Sequence, residues 1–493
     1  MNTESIPTPS KASPVDRFVS RTTAEFQGWP WVRIAALVVL SATGFHLAFA
    51  FSLLAWLIVL LPFGLIGLSQ LPKWRIAFYG GIAVGLCCYA PRLIFFWTIF
   101  KAAAIPLWVI LSLWLGFFAV LLRFVSLRLL TGRSRAWLLL IAPVLWTALE
   151  FFRSELYWLR FAWLTPGMAF DQWPDLMGAL GSYGIGFSAA AIAAAASIVM
   201  ARSRGRIATP RTIPALLTAF LLASGNPAFA KTVQIAGAQL EFPTHDEVLA
   251  TLNKLVARYP KTELIVLSEY TFDDAPPKSV LNWCRDHKRY LIAGGKDHLP
   301  DGNFYNTAFV VSQDGEIVFK QAKKQPIQFF KDGKPAPTQR LWLSPWGPIG
   351  IAICYDFSYS RVIDEVVRQG AQALIIPTMD VVDWGQTQHE THGRLGPIRA
   401  AEYGIPVVRV CSSGNSQIVS ASGRVEHAMP FDGQGEMFAA TLTLANAGQL
   451  PADRWLVRGC IAAAALLFLA SFLTPIRPKT DWTIPSPLPP SNP

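Results

Sequence analysis

The chain reads as a polytopic α-helical membrane bundle that gives way near residue 231 to an α/β domain and closes on one more apolar helix. Three observations carry that expectation. Of 493 residues, 52% are hydrophobic and 15% charged, a balance suited to a bilayer. The apolar residues gather into long runs between 32 and 230 and again near 456–474. Between those zones, short β-branched runs alternate with amphipathic segments, the pattern of an α/β domain with a filled core.

Residues 1–31 are polar and rich in Pro, Ser and Thr, and read as a disordered tail. Spans are expected near 32–50, 51–69, 74–91, 105–123, 136–152, 178–200 and 212–230, and a last one near 456–474 within 455–475. A hydrocarbon core of roughly 30 Å takes about 20 residues of helix. The seventh run is short and interrupted near its end by Pro227. Positive residues mark alternate connections: Lys11, Arg17 and Arg21, then Lys73 and Arg75, then Arg128, Arg133 and Arg135, then Arg202, Arg204, Arg206 and Arg211, then Arg477 and Lys479. The positive-inside rule puts those connections, and the tails 1–31 and 476–493, in the cytoplasm and 231–454 outside. The net charge of +11 is thereby explained by topology. No basic run with interleaved aromatics suggests nucleic acid.

Within 231–454, strands are expected at 232–240, 264–269, 290–295, 306–312, 349–354, 373–378 and 407–413, and helices at 245–259, 277–287, 359–369 and 389–403. The first helix places Leu249, Leu252 and Leu255 on one face. Six cysteines, Cys87, Cys88, Cys284, Cys354, Cys411 and Cys460, form no CxxC pair or zinc spacing, so neither a metal nor a cofactor is implied. Cys87, Cys88 and Cys460 read as packing residues, and a Cys284–Cys411 disulfide is open.

Three reactive residues follow strand-like runs: Glu269 in "LIVLSEY", Lys323 in "VFKQAKKQPIQFF" and Cys354 in "IGIAICYDF". Loops at strand ends often carry function. Alone each is weak: a carboxylate after a strand is often a helix cap, a loop lysine is usually solvated, and a strand cysteine is more often packing. A thiol is largely protonated at neutral pH, and a carboxylate within reach can serve as its base. His389 and His392 fall on a helix without a placed acidic partner and read as ordinary helix-surface histidines rather than a Cys–His pair. Glu150 and Arg153, at i,i+3, are expected to pair.

In this order Glu269, Lys323 and Cys354 resemble the Glu-Lys-Cys triad of the nitrilase superfamily, and "RAAEYGIPVVRVCSSGNSQIVSASGRV" (399–425) resembles its helix, strand and turn. The resemblance implies a nitrilase-like αββα sandwich. The membrane stretches "LWTALEFFRS" (145–154), "FAWLTPGMAF" (161–170) and "GSYGIGF" (181–187), with the order of spans, narrow it to the apolipoprotein N-acyltransferase family. That family carries seven spans, an extracytoplasmic nitrilase domain and one further span in the cytoplasmic membrane.

By that resemblance Glu269 is the base, Cys354 the nucleophile, and Lys323 with the Tyr355 backbone N–H the oxyanion donors, while Asp356 supports the site. The implied donor is a bilayer phospholipid, and the acceptor is the α-amine of a diacylglyceryl-cysteine apolipoprotein. Phe329, Phe330, Trp342 and Trp384 are candidates for gating the substrate, against ordinary core or interfacial roles. Glu402 and Arg399 are expected to hold the catalytic domain together. Lys323 is preferred to Lys324 on motif register.

Departures from the family pattern are local. "LSE" replaces the usual "WPE", "MDVVDW" (379–384) replaces "NDAWF", and Lys331 falls where the family has an active-site glutamate. A membrane-anchored amidohydrolase with the same triad, or a degenerate lipid-binding relative, is the alternative. The stretch 210–232 resembles a secretory signal with cleavage after Ala230; it is expected to stay intact, because an acyltransferase needs both parts adjacent.

Overall fold

The computed structural model describes residues 30–130, 135–203 and 231–474. The expected span at 212–230, the cleavage position after Ala230, the tail 476–493 and nearly all of the tail 1–31 lie outside these residues. The membrane part contains helices α1 (Pro30–Ala50), α2 (Leu60–Ser69), α3 (Trp74–Arg92), α4 (Phe95–Phe100), α5 (Ala104–Leu129), α6 (Leu138–Phe151) and α7 (Pro174–Ser203). Among the described residues six helical stretches are long and apolar enough to cross a membrane: Trp31–Ala50, Ser52–Ser69, Phe95–Leu129, Arg135–Leu156, Pro174–Ala201 and Asp453–Leu473.

The expected third span, 74–91, is helix α3 but is not one of the six. Arg75, Arg92 and several glycines dilute its apolar character. Those glycines serve packing instead. A Cβ on Gly81 would meet Gly116 Cα of α5 at 2.7 Å, and one on Gly85 would meet Ser112 Cα at 2.6 Å. Small residues let the two backbones touch, as in other membrane helix pairs.

The α/β domain holds two six-stranded sheets. Its strands are β1 (Thr232–Ala238), β2 (Leu264–Val266), β3 (Tyr290–His298), β4 (Phe304–Val311), β5 (Ile317–Ala322), β6 (Leu341–Ser344), β7 (Gly347–Ile351), β8 (Ala373–Thr378), β9 (Val407–Cys411), β10 (Gln417–Val419), β11 (Val425–Ala428) and β12 (Met437–Thr443). One sheet runs β12-β1-β2-β3-β4-β5 and the other β11-β10-β9-β8-β7-β6. Side chains alternate with the strand period. Val233 and Ile235 join Ile349 and Ile351 in the core between the sheets. Ala236 and Ala238 face outward onto helices α8 (His245–Arg258) and α9 (Lys278–His287). Each fully buried aliphatic side chain contributes about 1.5–3 kcal/mol.

Helix α8 begins where the sequence signals it. The Thr244 hydroxyl accepts the Glu247 N–H at 3.3 Å, and the Glu247 carboxylate accepts the Thr244 N–H at 2.8 Å, a capping box. The second sheet is covered by α10 (Ser360–Arg368), α11 (Gln386–Gly393) and α12 (Leu395–Tyr403). The single helix expected over 389–403 is therefore two, because Pro397 has no N–H to donate to the carbonyl four residues back. Strands β6, β10, β11 and β12 were not anticipated; each is short or of mixed polarity. The Cys284–Cys411 disulfide is not formed, and both thiols are free and buried. Cys284 packs in the outer core under α9, whereas Cys411 ends β9 in the other sheet.

The last helix, α13 (Asp453–Leu473), returns to the bundle against α6. A buried polar joint ties the two parts of the chain together. Helix α7 is interrupted at Gly181, with φ +69°, which frees the N–H groups at the start of its second half. Ser182 N–H donates to Glu402 at 2.8 Å and Tyr183 N–H to Asp453 at 3.0 Å. Glu402 also pairs with Arg399 and Arg454, so the expected Arg399–Glu402 pair joins the domain to the bundle as well as bracing it. Two arginines hold the Glu402 carboxyl down at about 2 against the effect of burial. Glu155, fully buried, accepts the Ser360 N–H at 2.9 Å and the Tyr183 hydroxyl at 3.0 Å. Glu150 and Arg153 do not pair as expected. The chain turns π-helical over Phe152–Leu156, and Arg153 is directed to the Phe161 carbonyl at 3.1 Å.

Candidate active site

Glu269, Lys323 and Cys354 come from three separate strand ends and meet between the sheets. Strand β2 stops at Val266, so Glu269 stands three residues past its end. Gly294 of β3 passes so close that a Cβ there would lie 2.6 Å from Glu269 Cα. Lys323 is the first residue after β5. Cys354 follows β7 on a sharp turn with φ +48°, a left-handed conformation costly for a side-chain-bearing residue and typical of a nucleophile held out from a strand end.

The polar contacts form one network. Lys323 Nζ lies 2.8 Å from Glu269 Oε1 and 2.7 Å from Asp332 Oδ2. Asn306 Nδ2 donates to Glu269 Oε1 at 2.6 Å and to Asp332 Oδ1 at 2.8 Å. Met379 N–H donates to Glu269 Oε2 at 2.8 Å, while the Met379 carbonyl accepts from Cys354 Sγ at 3.7 Å. Asp356 clamps the lysine loop to the cysteine turn by accepting the Lys324 N–H at 3.0 Å and the Gln325 N–H at 2.6 Å. Lys324 itself turns away to an ion pair with Glu365, so Lys323 is the lysine that the structure brings to the site.

The site is dry, and dryness sets its protonation. Burial, followed by the Glu269 carboxylate, pushes the Cys354 thiol well above its ordinary value, with Lys323 pulling the other way. Burial also raises Glu269 against the pull of Lys323. Lys323 is lowered by burial but carried well above its usual range by Asp332 and Glu269. Asp356 rises to about 7, chiefly through burial.

Lys331 does not reverse a charge in the site. It is exposed, and Asp332, one residue on, turns inward onto Lys323, Asn306 and the Tyr270 hydroxyl. The sequence there reads "KDG", and Gly333 takes φ +80° beside β4.

Above Cys354 opens an apolar cleft that is open at its mouth. One wall is Cys354, Tyr355, Asp380, Trp384 and His392; the other is membrane-side, with Phe95, Phe96, Phe100, Leu107 and Leu111. Phe329 and Phe330 cross the mouth, their rings 6.1 and 5.8 Å from that of Phe100. Trp384 meets Phe330 at 6.1 Å. Of the four gating candidates, Trp342 is the exception. It is buried on β6 against Tyr290 and Trp346 and is a core residue.

His392 has the acidic partner that the sequence reading lacked. Its Nδ1 lies 2.9 Å from Asp380 Oδ1, and Asp380 also pairs with Arg409. A sulfur of Cys354, an oxygen of Asp380 and a ring nitrogen of His392 lie within 4.8 Å of one another. Both Asp380 oxygens are already engaged by Arg409 and His392, and the arginine disfavours a second cation, so the cluster suits proton handling rather than a metal.

Comparison with known proteins matches each part of the chain separately. Residues 35–195 fit the apolipoprotein N-acyltransferase N-terminal domain, and residues 232–452 fit the carbon-nitrogen hydrolase family. Curated apolipoprotein N-acyltransferases align at 28% identity from Chlamydia pneumoniae, over 29% of this chain and 25% of that one. Those from Geobacter metallireducens and Shewanella oneidensis align at 24% each, over 72% and 77% of this chain and 79% and 84% of theirs. With the acyltransferase N-terminal domain and the carbon-nitrogen hydrolase domain matched one after the other over residues 35–195 and 232–452, and relatives of that name aligned across most of the chain, the chain belongs to the apolipoprotein N-acyltransferase family of the nitrilase superfamily.

Proposed function

We propose that the protein moves a fatty acyl chain from a phospholipid, through a thioester on Cys354, to the N-terminal amine of a diacylglyceryl-cysteine apolipoprotein. The observation that carries this reading is the cleft: its floor is a buried nucleophile and its far wall is membrane helix. In the first half-reaction Glu269 takes the thiol proton, and the sulfur attacks the ester carbonyl. Lys323 and the Tyr355 N–H face the developing oxyanion, donors of a kind worth roughly 3 kcal/mol each. The lysophospholipid leaves as its alkoxide and receives the proton from Glu269.

Arg160 lines the same cleft and pairs with no carboxylate among the described residues, which suits a lipid phosphate. The aromatic mouth shields the thioester from water, as transfer to an amine requires. Asp332 stands close to the place of the family glutamate, so the lysine loop no longer favours the hydrolase reading. The positive connections support a domain on the outer face of the cytoplasmic membrane.

The test is intact mass in detergent with added phospholipid. The expected result is a fatty-acyl mass increase that hydroxylamine removes and that Cys354→Ala lacks. A folded wild-type sample that gains no adduct across several donor lipids would overturn the acyltransferase reading.

A further inference from the structure

Three buried polar atoms on residues lining the cleft have no partner: Arg160 Nε, Gln388 Oε1 and His392 Nε2. Of these, only the histidine nitrogen can pick up and release a proton near neutrality. Its ring is held from several sides. Nδ1 sits 2.9 and 3.1 Å from the two oxygens of Asp380. Asp380 is fixed by Arg409 and by Gln388 Nε2 at 2.9 Å. Trp163, from the membrane side, lies over the imidazole at 5.1 Å and 31°. A carboxylate at Nδ1 assigns the proton to that nitrogen and leaves a lone pair on Nε2. The other charged or titratable groups around the ring are Arg409 on β9, His389 on its own helix, Cys354 on the same wall and Arg160 at the membrane wall.

The chemistry of the second half-reaction leaves a proton without a carrier. An α-amine has a pKa of about 7.7–8.0 and arrives mostly as ammonium at neutral pH. Becoming an amide costs its nitrogen two protons. The C–N bond forms, the C–S bond breaks, one proton ends on the Cys354 sulfur, and one must leave. Glu269, emptied when the lysophospholipid departed, can ferry one proton to the sulfur.

We propose that His392 Nε2, oriented by Asp380, takes the other proton from the incoming amine and passes it to water at the cleft mouth. His392 is thus a base for aminolysis and has no part in loading the acyl group. Burial keeps the ring below its usual value, with Asp380 opposing, so the base form is present at neutral pH. This inference rests on the acyl-transfer reading and adds a residue to it.

The experiment uses the full chain in detergent. Wild type and His392→Gln are loaded with phospholipid and the thioester is followed by intact mass. A synthetic diacylglyceryl-cysteine peptide is then added between pH 6 and 9.5. The variant is expected to lose about 10²-fold in aminolysis at pH 6.5, far more than in loading. That deficit should shrink to a few-fold above pH 9, where the amine arrives neutral. His392→Ala with added imidazole should recover part of the loss. Equal losses in both half-reactions, a deficit that ignores pH, or no deficit would overturn the role of His392. A wild type that never loads would instead overturn the transfer reading, and this inference with it.

Discussion

The two walls of the cleft are built on opposite rules. Behind the catalytic wall Glu269, Lys323, Asn306 and Asp332 bind one another and the backbone of Met379 at set distances. On the membrane wall Phe95, Phe96, Phe100, Leu107 and Leu111 meet by shape alone. Polar groups in a dry site must be paired or they cost free energy, so one substitution there disturbs several contacts. Apolar contacts are individually weak and tolerate exchange. In the proposed reaction the catalytic wall therefore sets what happens to the acyl group, and the membrane wall sets which chain can lie there.

The comparison breaks most completely if the walls come apart. Glu402→Ala strips the joint of a carboxylate that meets Ser182, Arg399 and Arg454. Removing one partner of a buried charged network costs about 3–5 kcal/mol. Thermal unfolding in detergent should show it, and an unchanged midpoint would mean that the joint carries little of the stability.

Within the catalytic wall, Asp332→Asn should keep the shape and lose the charge beside Lys323. Thioester formation is expected to slow about 10²-fold, or roughly 2.7 kcal/mol, with little change in the lipid concentration needed. The same loss appearing only in lipid affinity would assign Asp332 to binding.

The membrane wall is sharpened by Phe100→Ala, which removes the ring facing Phe329 and Phe330. Loading should weaken by about 1–2 kcal/mol in apparent affinity, and thioester hydrolysis without acceptor should rise a few-fold as water enters. A thioester as long-lived as in wild type would show that the mouth is sealed elsewhere. Lys331→Gln, outside both walls, should stay within about 0.5 kcal/mol in stability and leave loading unchanged.

The order of elements was legible early because it rests on local pattern. Apolar runs of span length need no partner to be recognised, and strands such as "ALIIPT" are apolar enough to declare themselves. Glu269, Lys323 and Cys354 were visible as reactive residues at strand ends, in an order that resembles a known triad. Strands β10 and β11 were missed because runs of three and four residues are too short to show a period. The inward turn of Asp332 was missed because its partners, Lys323, Asn306 and Tyr270, lie on other elements of the domain.

The sequence by itself determined the division of the chain into membrane helices and α/β domain, and which residues could do chemistry. Only the tertiary structure decided which of them meet. It sent Asp332 rather than Lys331 inward, gave His392 its Asp380, put Trp342 in the core and turned Glu402 toward the broken helix α7. Each is a contact between groups far apart in the chain or turned by a single residue, and such contacts follow from packing and desolvation rather than from any local pattern.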